Sequence, residues 1–177
     1  MTNEVPAIPA IRVAKIATCD SLSGLSRLEY HVGYEAGSKD KIYWRIWKNS
    51  GGGKFNSDWV ALSTITVVMS KVPAGEAFKA AALNPILVGR SVNTPSFIAA
   101  ALVAEGLIVR SEKVARCYER GNADMWWKEM LRLIEAKTNL IPAPTADTAG
   151  HEVKEEGKAK SPKKTRATPA AAHPVAK

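Results

Sequence analysis

Arg27-Leu28-Glu29-Tyr30-His31-Val32-Gly33-Tyr34, and then Lys41-Ile42-Tyr43-Trp44-Arg45-Ile46-Trp47-Lys48, are the stretches that decide the fold class of this 177-residue chain. Leu28, Tyr30, Val32 and Tyr34 recur at every second position, the period of a strand with one buried face. Glu35-Ala36-Gly37-Ser38-Lys39-Asp40 supplies turn chemistry, so the two runs predict an antiparallel hairpin. In the second run Ile42, Trp44 and Ile46 share one face, and Tyr43, Arg45 and Trp47 share the other. One face has to pack in the core. The opposite one is a candidate basic-aromatic surface, extended by Lys48, Lys54 and Phe55, because bases stack on rings while cations follow phosphates.

Asn49-Ser50-Gly51-Gly52-Gly53 breaks the second strand. The sequence Ser50 to Phe55 invites comparison with a phosphate-binding loop, but the spacing is wrong. A Walker loop has Gly five positions before the Gly of its Gly-Lys pair and Ser or Thr after the Lys, where this chain has Lys48 and Phe55. Ser57-Asp58-Trp59-Val60-Ala61-Leu62 reads either as the start of a short helix or as a third strand reaching toward Met69.

Downstream the pattern turns helical. Residues 73–83 are rich in helix formers and predict a helix that Asn84-Pro85 ends. Asn93 or Thr94 can cap a second helix, with Pro95 in its first turn, Ser96 to Ala104 as its body and Gly106 as its stop. Leu107 to Arg110 and Val114 to Arg120 read as two strands joined at Ser111-Glu112-Lys113. Met125, Trp126, Met130, Leu133 and Ile134 then mark an amphipathic helix. Adjacent helix residues point about 100° apart, so the pair Trp126-Trp127 demands a wide apolar face or a partner.

This order of elements between Pro73 and Ile134 resembles a winged-helix module. The resemblance implies that the helix from Ser96 to Ala104 approaches a major groove while the hairpin touches phosphates. That helix carries no Arg, Lys, Asn or Gln to read base edges, so the expected binding is weakly sequence-specific. Arg90, Asn93 and Thr94 are the candidate groove contacts, and Arg110, Lys113, Arg116 and Arg120 the candidate phosphate contacts.

After Ile141 the chain loses every Leu, Ile, Met, Phe and aromatic residue, and Pro, Ala, Lys and Thr take over. Such a segment cannot offset its ordering entropy and predicts a disordered tail over 142–177. From His151 onward seven basic residues face three acidic ones, so this stretch of the tail carries +4, half of the chain's net charge of +8. Ser161-Pro162-Lys163-Lys164 resembles the element repeated in linker-histone tails. That resemblance implies a cationic arm along DNA, with Lys163, Lys164 and Arg166 on phosphates.

The expected architecture is α+β. It comprises a flexible arm over 1–10, a β-hairpin-containing region over 11–72, a winged-helix-like module over 73–141, and the basic tail. With 46% apolar residues the chain is too hydrophobic to be disordered throughout. No apolar run approaches the roughly 18 residues of a membrane span. The N-terminus shows no secretory pattern, which favours a cytoplasmic protein, nucleoid-associated if it binds DNA. Cys19 and Cys117 have no CxxC companion and read as reduced thiols, and the histidines at 31, 151 and 173 make no metal spacing. No nucleophile elbow, metal triad or dinucleotide loop is present, and neither an enzyme nor a cofactor nor a small-molecule ligand is expected.

Three functions follow in order: a duplex-DNA-binding protein using the module and tail; a protein-interaction or inhibitor module or homodimer using Trp-rich surfaces; and a single-strand binder using the aromatic hairpin. Tyr43, Trp47, Phe55, Trp126 and Trp127 are the candidate stacking or partner residues for the latter two.

Overall fold

The alternation of residues 27–48 becomes the centre of a four-stranded antiparallel sheet. The computed structural model describes residues 10–52, 54–73, 75–87 and 91–141. Arg90, Lys163, Lys164 and Arg166, and with them the proposed tail, lie outside the described residues. Strands β1 (Ile11–Asp20), β2 (Arg27–Glu35), β3 (Ile42–Asn49) and β4 (Val60–Ala61) pair in the order β1-β2-β3-β4. β2 and β3 form the expected hairpin, with Tyr30 opposite Ile46, Val32 opposite Trp44 and Tyr34 opposite Ile42. At its turn Gly37 takes a φ of 89°, a conformation that side-chain-bearing residues rarely adopt.

The face that packs inward is the one bearing Ile42, Trp44 and Ile46, joined by Leu28, Tyr30, Val32 and Tyr34, all buried. β1 follows no simple alternation, because a bulge between Val13 and Lys15 shifts its register against β2. That irregularity hides a ten-residue strand from a period-two reading.

Both readings of residues 57–69 are partly right. Val60 and Ala61 pair with Trp44 and Tyr43, and the chain then turns into helix α1 (Leu62–Ser70). Its β-branched run is a weak helix former; Leu62, Ile65 and Met69 anchor it by burial in the core.

The helix expected over 73–83 is not formed. Gly75 adopts a φ of 80°, and Phe78 instead exchanges both backbone hydrogen bonds with Tyr118, at 2.8 and 2.7 Å. A 3-10 helix follows at Ala80–Leu87, with Pro85 inside it. Helix α2 (Thr94–Ala104) begins as the caps suggested, although Asn93 makes no side-chain cap. Gly106, at a φ of 72°, ends it.

β5 (Ile108–Arg110) and β6 (Tyr118–Arg120) form a separate two-stranded sheet. The returning strand is shorter than the sequence suggests. Residues 111–117 make a wide turn closed by the Ser111 N–H donating to the Cys117 carbonyl at 2.9 Å. Helix α3 (Asp124–Glu135) buries Trp126, Met130 and Ile134, while Met125 points to solvent.

One core runs through both halves of the described chain. Trp44 stacks between Tyr30 at 5.6 Å and Trp126 at 5.8 Å between ring centroids, so a sheet residue and an α3 residue share one aromatic column. The Glu105 carboxylate, only 5% exposed, accepts from the Tyr30 hydroxyl at 2.5 Å and from Lys15 Nζ at 2.6 Å, tying the end of α2 to β1 and β2. Past α3 the chain returns to β1. Asn139 Oδ1 accepts from the Val13 N–H at 3.1 Å, and the Leu140 N–H donates to the Val13 carbonyl at 2.8 Å.

Candidate nucleic-acid interface

Alternation also fixes what the outer face of the sheet carries. Tyr43, Arg45 and Trp47 project from β3, Glu29 and His31 from β2, and Trp59 closes in from the loop before β4. Trp59 can lie over the sheet because Gly33 leaves room beneath it. A Cβ there would stand 2.9 Å from the Trp59 ring and 2.6 Å from the Ile11 side chain.

The result is a layered cluster. The Arg45 guanidinium lies 4.3 Å from the centre of the Trp47 ring and 4.4 Å from that of Trp59. Its Nε and Nη2 approach His31 Nδ1 at 3.1 and 3.0 Å. Arginine has no acceptor, so Nδ1 must be the accepting nitrogen, and the proton sits on Nε2, which donates to Glu29 Oε1 at 3.2 Å. His31 also stacks on Trp47, with centroids 5.4 Å apart. Trp47 remains 41% exposed. A wet indole beside a fixed cation can hold a planar ring by stacking and its charge by attraction.

The electrostatics of this face are nearly balanced. Lys48 faces Glu29 at 3.4 Å, Arg27 faces Asp20 at 3.6 Å, and Lys41 faces Glu35 at 2.9 Å. Desolvation pushes the Glu29 carboxyl up, but hydrogen bonds from His31 and Lys48 outweigh it and hold the group below its ordinary value. Burial, seconded by the Arg45 charge, lowers the pKa of His31 despite the opposing pull of Glu29.

A pH dependence follows. Because the folded pKa lies below the unfolded value near 6.5, the unfolded chain binds the extra proton first. Stability is therefore expected to fall as pH drops below about 6.5, levelling off once the folded histidine also titrates. Urea melts between about pH 7.5 and 5 check this, with His31→Asn, which keeps an acceptor for Arg45, expected to flatten that part of the profile. An unchanged slope in the variant would assign the loss to another group.

The second basic feature is the β5–β6 hairpin. Arg110, Lys113 and Arg116 are exposed along it, and Ser111 shapes its turn by donating to Glu119 at 2.6 Å and accepting from the Lys113 and Val114 N–H groups. Arg120 has a further task. Its Nη2 donates to the Met69 carbonyl at 2.6 Å and to that of Val72, so this edge of the guanidinium caps the end of α1.

Other expected contacts are likewise occupied. Thr94 is buried, and its hydroxyl accepts from the Asn56 N–H at 3.1 Å. Asn93 Nδ2 donates to the Lys54 carbonyl at 3.0 Å. Both brace the loop after β3 and do not project toward a groove. Phe55 is half-buried edge-on against Phe97. Trp126 is buried, which removes it from any partner surface, whereas its neighbour Trp127 is half-exposed. Tyr43 is half-buried with its hydroxyl 3.5 Å from Glu35.

His31, and the position of Trp59 over the sheet, are what sequence reasoning missed. Arg45 was visible between Tyr43 and Trp47, but the approach of Trp59 depends on how the chain crosses to β4. A nucleophile is not evident at Cys19. Burial, then the neighbouring Asp20 carboxylate, pushes its thiol up to about 11, where little thiolate exists at neutral pH. Cys19 and Cys117 are both free thiols. Among the described residues no cluster of His, Cys, Asp and Glu could hold a metal ion, and no helix is long and apolar enough to cross a membrane.

No protein-family model, curated protein or solved structure matches this chain.

Proposed function

We propose that the protein binds nucleic acid without catalysing a reaction, and that it holds single strands on the outer face of its sheet. The observation that carries this reading is the Arg45 guanidinium set between Trp47 and Trp59 on a face where β2 and β3 present their polar and aromatic side chains. Stacking on Trp47 and charge from Arg45 and Lys48 are what a base and its phosphate require. Reading of a duplex by α2 is not favoured. Ile98 to Leu102 are buried without a break, so the helix has no exposed polar stripe for a major groove.

A second reading rests on the hairpin. The order α1, Phe78 bridge, 3-10 helix, α2, β5, β6, with Phe78 pairing to Tyr118, supports a winged-helix-like description of the C-terminal half. Its wing would carry Arg110, Lys113 and Arg116 to duplex phosphates with little sequence discrimination. Either target implies a cytoplasmic site of action, nucleoid-associated for duplex DNA.

Fluorescence anisotropy separates the two. A labelled oligothymidylate is expected to bind more tightly than a duplex of equal length, and its affinity to fall with salt. Changing Arg110, Lys113 and Arg116 together to Ala is expected to lower the duplex salt slope by about 0.9 for each phosphate no longer neutralised, while leaving the single-strand complex in place. Tighter duplex binding that this triple variant abolishes would transfer the function to the hairpin.

A further inference from the structure

Away from the outer face of the sheet, a groove of about 240 Å³ opens between α1, the end of α2, the root of the β5–β6 hairpin and the start of α3. Ile65 and Met69 line it from α1, Leu102 from α2, and Ile108 from β5. Trp127 stands at its rim, 37% exposed. Among the described residues that line it, Arg120 is the only charged one.

Arg120 is held in place at both ends. The N–H of the next residue, Gly121, donates to the Leu107 carbonyl at 3.0 Å. Position 121 admits no side chain, since a Cβ would lie 1.9 Å from the Gly106 carbonyl oxygen. At the far end, Nη2 is bound to the carbonyls of Met69 and Val72. A guanidinium has five N–H donors, and among the described residues only those of Nη2 are engaged, which leaves Nε and Nη1 for a ligand. A planar cation immobilised beside apolar walls, with no carboxylate in the lining, complements an anion that carries an apolar body.

We propose that this groove binds a small free carboxylate whose body is a single ring or a short alkyl chain, with the carboxylate on Arg120 and the body against Met69, Leu102 and Trp127. Its volume lies just below the range of roughly 300–1,000 Å³ that drug-sized ligands occupy, which limits the body to that size. The site is independent of the nucleic-acid reading and shares no residue with the sheet face.

Titration of the full chain with benzoate and hexanoate, against benzyl alcohol and hexanol, tests the assignment. The readout is the indole N–H resonance of Trp127 in nitrogen-15 spectra, identified with Trp127→Phe. The carboxylates are expected to bind saturably, to shift that resonance, and to bind at least about tenfold more tightly than the matching alcohols, the loss of one charge-assisted hydrogen-bond pair. Thr66→Phe, which fills the groove from an exposed position on α1, is expected to abolish binding. Arg120→Met is expected to erase the preference for acid over alcohol. Should that variant fail to fold, because Arg120 caps α1, the comparison of acid with alcohol on the natural chain still decides. Alcohols binding as well as acids, or carboxylates that neither saturate nor move the Trp127 resonance, would overturn the proposal.

Discussion

Replacing Trp44 with alanine is expected to cost the fold about 3–5 kcal/mol, the usual range for deleting a large buried aromatic. The residue is fully buried, pairs in register with Val32, and stacks on Tyr30 from β2 and Trp126 from α3. It is thus the joint between the sheet and the last helix, and its removal leaves a cavity that both would have to collapse into. Domains of this size are stable by roughly 5–15 kcal/mol, so the variant is expected to unfold at a much lower urea concentration. Trp44→Phe is expected to be milder. It keeps a stacking ring, and among the described residues the Trp44 indole N–H has no hydrogen-bond partner to lose. A loss below about 1 kcal/mol for Trp44→Ala, well short of that range, would mean that the aromatic column is not what joins the two halves.

Trp47→Ala carries the second large effect, on binding instead of stability. Stacking of one base on an aromatic ring contributes about 1–3 kcal/mol, so the variant is expected to bind oligothymidylate roughly 5- to 150-fold more weakly. Trp47→Tyr is expected to recover much of the loss, because a ring is restored without the rest of the indole. The ring is partly exposed, and a thermal melt close to that of the natural chain is the control that separates lost stacking from lost fold. Arg45→Lys adds a finer test. It keeps the charge but not the planar fork that sits between two rings and bonds His31, and is expected to weaken binding while leaving its salt dependence unchanged. Unaltered affinity in Trp47→Ala would remove the sheet face from consideration.

The parts of the fold that were legible are those where one period ran unbroken. Leu28 to Tyr34 and Ile42 to Trp47 alternate cleanly, and the hairpin and its buried face followed from them. α2 and α3 were legible for a similar reason, since Pro95, Gly106 and the spacing of Trp126, Met130 and Ile134 are local signals. β1 was hidden because its bulge breaks the alternation partway along. Residues 73–79 looked helical from composition, yet Phe78 is held by Tyr118, far along the chain, and no local propensity records that pairing.

The candidate site divides in the same way. Tyr43, Arg45 and Trp47 could be placed on one face from spacing alone, whereas Trp59 reaches that face only through a glycine on another strand. Arg120 and Thr94 show the converse. Their residue types suit nucleic acid, but the carbonyls of Met69 and Val72 and the N–H of Asn56 had already engaged them, and sequence cannot display an occupied donor or acceptor.

The bonds between Val13 and the segment at Asn139 and Leu140 place the two ends of the described fold at a single corner. Topologically the described fold is nearly a closed ring. A short linker from Ile141 to Ala10 would complete it, and the exposed turn at Ser23 to Leu25 is then free to be cut into new ends. The order in which the chain is written is therefore separable from the architecture it forms: β1 could be made last and packed in the same place.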